Sequence, residues 1–154
     1  MSIIEAKLND IGITLPTPPA PGGNYIPAVR TGNIVFLSGV TPRRPDGTPF
    51  AGKLGRDLSV DEGYEAARTC AISLLANLKQ EIGNLDKVTH VIKLLGMVNA
   101  DPDFTQPPQV INGCSDLLVE LFGEKGRHAR SAVGLASLPG GVAVEIEMIV
   151  EVSD

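Results

Sequence analysis

The sequence predicts an α+β domain of two layers, a mixed β-sheet with helices on one face. Three observations carry this. Residues 59–82 and 105–122 repeat apolar side chains at helical spacing. Residues 25–30, 34–38, 88–98, 130–137 and 142–152 alternate with period two or are rich in β-branched and aliphatic residues. The two kinds of segment interleave along the chain, which is the order of one sheet packed on helices rather than of separate α and β domains. At 154 residues the chain suits a single domain, 1–154.

A short amphipathic helix opens the chain, with Ile3, Ile4, Leu8 and Ile11 at near-helical spacing behind a cap at Ser2. Residues 14–24 hold four prolines and read as an extended connector. Residues 1–24 thus precede a core of 25–152. Two strands follow, 25–30 and 34–38, joined by Thr31-Gly32-Asn33. Residues 39–57 read as a loop with a turn at Pro45-Asp46-Gly47 and room for one short strand. Ser59 and Glu62 form a capping box, and the stripe Val60, Tyr64, Ala67, Ala71, Leu74, Leu75, Leu78 and Ile82 runs to a stop at Gly83. A strand over 88–98 leads to a second helix with Pro107 and Pro108 in its first turn. Its stripe is Val110, Ile111, Cys114, Leu117, Leu118 and Leu121, ending at Gly123.

The last two strands, 130–137 and 142–152, flank Leu138-Pro139-Gly140-Gly141 and read as a hairpin. Pairing Ser137 with Val142 places Gly134 opposite Glu145 and Arg130 opposite Ile149. Arg130 then shares a face with Ala132, Glu145 and Glu147. An arginine among small residues is either a fork for a ligand carboxylate or half of a structural ion pair. The even positions of 142–152 are apolar throughout, and the other face of the sheet, with its glutamates and small residues, lacks a cover.

Charge and composition exclude several classes. Net charge is −5, from 13 basic and 18 acidic residues, which disfavours nucleic acid as a partner. No apolar stretch is long enough to span a membrane. No leader is visible at the start, and two cysteines, Cys70 and Cys114, do not make a disulfide scaffold, so a cytoplasmic location is expected. Both cysteines fall on or beside helical stripes and read as buried thiols. His90 and His128 are isolated, with no metal-ligand spacing, and the glycine pairs sit in turns rather than in a phosphate loop. No metal or cofactor is expected.

Arg130-Ser131-Ala132-Val133, Leu138-Pro139 and Val144-Glu145-Ile146-Glu147 resemble the C-terminal signature of the RidA/YjgF family of reactive-intermediate deaminases. Asn24-Tyr25, Ala28-Val29, Gly32-Asn33 and Ser38-Gly39 followed by Pro42 are similar to its N-terminal half. The resemblance implies a chorismate-mutase-like fold and a homotrimer with ligand clefts between subunits, which would supply the missing cover. It implies hydrolysis of enamines and imines derived from amino acids to a 2-oxo acid and ammonia. Arg130 would hold the substrate carboxylate, Glu145 would place the water, and Tyr25 and Ser38 would line the cleft. The archetype has Cys where this chain has Ala132, so the pocket differs there. The first helix, the connector and the longer 43–57 loop suggest a longer subgroup. Two other functions stay open: a trimeric module that binds small carboxylates without turnover, and RNA cleavage.

Overall fold

The computed structural model describes residues 2–154. Its elements are α1 (Ile3–Asp10), β1 (Ala28–Thr31), β2 (Ile34–Val40), α2 (Val60–Ile82), β3 (Val88–Asn99), α3 (Pro107–Phe122), β4 (Ala129–Leu135) and β5 (Val144–Val152). The five strands form one sheet in the order β1-β2-β5-β3-β4, and the helices cover one face. This is the predicted two-layer, mixed α+β architecture.

Local sequence accounts for the helix ends. Ser2 with Glu5 and Ser59 with Glu62 both close full capping boxes, so two orphan amides at each helix start are satisfied by side chain and backbone together. Asp86 caps α1 a second time, accepting from the amides of Ile3 and Ile4 at 2.9 and 3.0 Å. Those bonds, that of Ile4 foremost, lower its pKa. Between the layers lies an aliphatic core in which α2 and α3 lay their stripes on Val91, Leu94, Val98, Val144, Ile146, Met148 and Val150. No helix among the described residues is long and apolar enough to cross a membrane.

The predicted C-terminal hairpin does not form. β4 pairs in parallel with β3, Arg130 beside Leu94, while β5 inserts antiparallel between β2 and β3, Met148 beside Leu94. Two forces decide this. A strand that follows β3 through a packed helix is fed back alongside it in parallel by the right-handed crossover. The strand apolar at every second position then takes the centre of the sheet, with Val144, Ile146, Met148 and Val150 all under 2% exposed. β4, which carries Arg130 and exposed glycine, is left at the edge. The connection is held away from a tight turn by buried Leu138 and by Lys53, whose Nζ donates to Ala136 O and Asn99 Oδ1.

Two smaller expectations also shift. The first strand begins at Ala28, because Pro27 has no amide to pair. Residues 39–57 contribute isolated bridges rather than a short strand, Arg43 with Pro49 and Ala51 with Val142, while Phe50 and Leu54 plug into the core. The turn at 45–47 is present, with Gly47 N donating to Arg44 O at 2.9 Å.

Candidate functional site: an anchored guanidinium and a half-buried carboxylate

Arg130 lies on the helix-covered face of edge strand β4, in the row of Leu94 and Met148. Its Nη1 donates to Asn112 Oδ1 at 2.8 Å and to Ser115 Oγ at 3.1 Å, both from α3. Helix α3 is set closely against α2 between those two residues. A Cβ at Gly113 would fall 1.9 Å from the carbonyl oxygen of Tyr64, so only glycine fits the crossing. Ser115 is held in turn by His128. The His128 Nδ1 lies 2.7 Å from Gly126 O, a pure acceptor, so Nδ1 carries the proton and donates. Its Nε2 lone pair then accepts from Ser115 Oγ at 2.9 Å. Burial above all pushes His128 below the usual imidazole range, and the Arg130 charge adds to this.

With both Nη1 hydrogens engaged, the guanidinium keeps its Nε and Nη2 donors in one plane for an outside group. That edge is the bidentate match for a carboxylate. Ala132 follows on the same face of β4 and packs against the core margin, adding little bulk beside the fork.

Glu145 belongs to the other face. It sits on β5 beside Met97 and points away from the helices with Glu147. Its carboxylate lies over Gly39, where an added Cβ would come within 3.1 Å of Oε1, so the missing side chain makes the room. Burial first, and the neighbouring Glu147 charge second, raise its pKa. A carboxylate with a raised pKa is a better proton acceptor than a solvated one. Ser38 occupies the same corner. Its Oγ donates to Ile26 O at 2.7 Å and its amide to Pro27 O at 2.9 Å, which fastens the segment that carries exposed Tyr25.

The structure therefore brings Ser38, Gly39 and Glu145 together with the Tyr25 segment, and Arg130 together with Ala132. It does not bring Arg130 and Glu145 onto one face, contrary to the pairing expected of a hairpin. They are separated by about 10 Å across two strand spacings and about 10 Å along the strands, with the sheet between them. Sequence reasoning missed Asn112, Ser115 and His128 as the setting of Arg130. The available signal was the polar pair 112 and 115, one turn apart beside the buried stripe. Cys70 and Cys114 are buried as expected, and burial pushes the Cys114 thiol up to about 12. Among the described residues no group of three or more His, Cys, Asp or Glu is placed to hold a metal ion.

Residues 5–148 match the family described as "YjgF/chorismate_mutase-like, putative endoribonuclease". The chain belongs to this family. It is 43% identical to Protein TCP17 of Trypanosoma cruzi, over 98% of this chain and 95% of that one. It is 31% identical to a 2-iminobutanoate/2-iminopropanoate deaminase of Dermatophagoides farinae, over 90% and 93%. Among solved structures it superposes on the protein Atu1372 of Agrobacterium tumefaciens, described as of unknown function, with a TM-score of 0.91 and 42% identity, covering 98% of this chain and 93% of that one.

Proposed function

We propose that this protein hydrolyses small imines and enamines derived from amino acids, releasing a 2-oxo acid and ammonia, in clefts between the subunits of a homotrimer. The observation that carries the reading is the division of the site. Arg130 presents an open fork on the helix side of the edge strand, and Glu145 presents a basic carboxylate on the uncovered side of the sheet. One chain cannot apply both to a substrate of three or four carbons; two chains can. The uncovered face supports the assembly, since Val29, Phe36, Ile92 and Val133 are exposed on it and at its rim. Likeness to an iminobutanoate deaminase supports the substrate class.

In this reading Arg130 grips the substrate carboxylate through Nε and Nη2. The imine carbon is already electrophilic, so no covalent nucleophile is needed. On the imine protonated at nitrogen, Glu145 takes a proton from water as the water oxygen bonds to that carbon and the C=N π pair moves to nitrogen, giving a neutral carbinolamine. Glu145 returns that proton to the nitrogen, and the C–N bond breaks to release ammonia as the hydroxyl gives its proton back to Glu145 and the C=O forms. Tyr25 and Ser38 line the cleft. The reaction suits a reducing cytoplasm, in which Cys70 and Cys114 remain free thiols. RNA cleavage is a poorer fit to a chain of net charge −5.

Ammonia release from an imine generated in situ by an amino-acid oxidase tests the proposal. The wild type should exceed the buffer rate, and Glu145→Gln should fall by about 10²–10⁴ while still binding 2-oxobutanoate. Binding of 2-oxobutanoate by a wild type that adds nothing to the buffer rate would instead make the protein a carboxylate-binding module.

A further inference from the structure

The hydrogen bonds behind Arg130 form a directed chain, and the direction is set at one atom. Gly126 O can only accept, so His128 must donate from Nδ1, at 2.7 Å. His128 Nε2 is then a lone pair, and Ser115 must donate its hydroxyl hydrogen to it, at 2.9 Å. The remaining lone pairs of Ser115 Oγ face Arg130 Nη1 at 3.1 Å. We infer that Ser115 and His128 are positioning residues for the carboxylate fork: the backbone carbonyl of Gly126 fixes the imidazole, the imidazole fixes the hydroxyl, and the hydroxyl fixes the guanidinium by Nη1. The inference rests on the reading of Arg130 as a carboxylate clamp and says what aims it.

The arrangement has an energetic reason. A guanidinium on an edge strand has a long, flexible stem, and ordering it at the moment of binding costs affinity. Tying Nη1 to α3 settles that cost on folding and leaves Nε and Nη2 coplanar for the ligand. A lone hydroxyl would do this poorly, because a serine oxygen rotates and can turn its hydrogen toward a cation. His128 removes that freedom by claiming the hydrogen. Asn112 Oδ1 holds the other Nη1 hydrogen at 2.8 Å, so the two contacts define the guanidinium plane.

A serine hydroxyl on a histidine also has the look of a nucleophile and its base. Here the serine oxygen is committed to a cation, which draws electron density from it, and burial makes the imidazole a weaker base. The pair therefore acts on Arg130 rather than on substrate.

Titration of the assembled wild type and of four variants with 2-oxobutanoate by calorimetry tests the relay. Ser115→Ala, which removes the hydroxyl, should bind about tenfold more weakly, and Ser115→Thr, which keeps it, should recover most of that loss. His128→Gln places an acceptor near the Nε2 position and should stay within about threefold of wild type, whereas His128→Leu, of similar bulk, should match Ser115→Ala. A packing role would make Gln and Leu equivalent at position 128, and equal affinities of those two variants overturn the relay. Unchanged affinity in Ser115→Ala overturns it as well. The serine variants are small changes, and the histidine pair decides should position 115 prove sensitive in folding. In the ligand-free protein, ¹⁵N spectra should show one Nδ1-protonated tautomer of His128. A wild type that takes up no 2-oxobutanoate overturns the clamp, and the relay's purpose with it, even where that tautomer is seen. The two failures are thus distinguishable.

Discussion

The Arg130 corner and the Glu145 corner of the sheet are built in opposite ways. Around Arg130, Asn112, Ser115, His128 and the Gly126 carbonyl are all paired within one chain. Around Glu145 the carboxylate rests over a glycine, is raised in pKa by burial and a like charge, and accepts no hydrogen bond among the described residues. The first corner is an anchor that folding alone completes. The second is held in readiness on an uncovered face with apolar neighbours. In the proposed reaction the group that keeps its position is tied down, whereas the group that exchanges a proton is left without a fixed donor.

The largest expected effect tests whether the two corners work on one substrate from different chains. Arg130→Ala and Glu145→Gln should each lose about 10²–10⁴ in hydrolysis as pure oligomers. Unfolded together and refolded as mixed trimers, they should regain about a quarter of wild-type activity, because one site in four would pair an intact arginine with an intact glutamate. A site confined to one chain would regain nothing on mixing.

A charge placed on the uncovered face separates assembly from folding. Phe36 is 46% exposed in the single chain and lies beside Val29 and Ile149 in the sheet. Phe36→Asp should leave the circular dichroism spectrum intact, weaken association by about two to three decades through an uncompensated interfacial charge, and carry hydrolysis down with it. A Phe36→Asp protein that remains trimeric and active by light scattering and ammonia release would place the interface elsewhere.

A smaller change probes the fork alone. Arg130→Lys keeps the charge but cannot offer two coplanar donors while tied by the same atom to α3. Calorimetry should show 2-oxobutanoate weakened by about one to two decades, the equivalent of roughly 1.5–3 kcal/mol. Equal affinity would mean that charge, not fork geometry, holds the ligand.

These residues also show which parts of the molecule local patterns encode. The cap at Ser2, the capping box at Ser59, the helical stripes and the alternation of β5 are short-range signals, and the structure places each element within a few residues of its expected bounds. Strand adjacency is not short-range. Leu138-Pro139-Gly140-Gly141 carries turn chemistry, yet the partner of β4 is chosen by the crossover from β3 through α3 that precedes it. That one misplacement put Arg130 and Glu145 on a shared face. Arg130 and Glu145 were themselves legible from motif resemblance, whereas Asn112, Ser115 and His128 were not, since their meaning depends on α3 lying beside the edge strand.

The smallest effect contrasts the two corners by the sign of their pH dependence. Glu145 has a folded pKa above its unfolded value, so the folded state holds its proton more tightly; the stability this brings at low pH is lost as pH rises through the raised pKa. Once that stability is lost the carboxylate is a burden on folding, and Glu145→Gln should melt at a higher temperature than wild type at neutral pH, with the difference closing under acid conditions. His128 has a folded pKa below its unfolded value of 6.5, chiefly through burial. The unfolded chain takes up that proton first, so stability falls as pH drops from 6.5 toward the lowered value. His128→Gln does not titrate and should escape that part of the acid loss. Melting curves of the three proteins between pH 4 and 8 check both signs in one set. If Glu145→Gln were less stable than wild type at pH 7, the carboxylate would have a partner that holds it, and the contrast between an anchored corner and a waiting one would fail at Glu145.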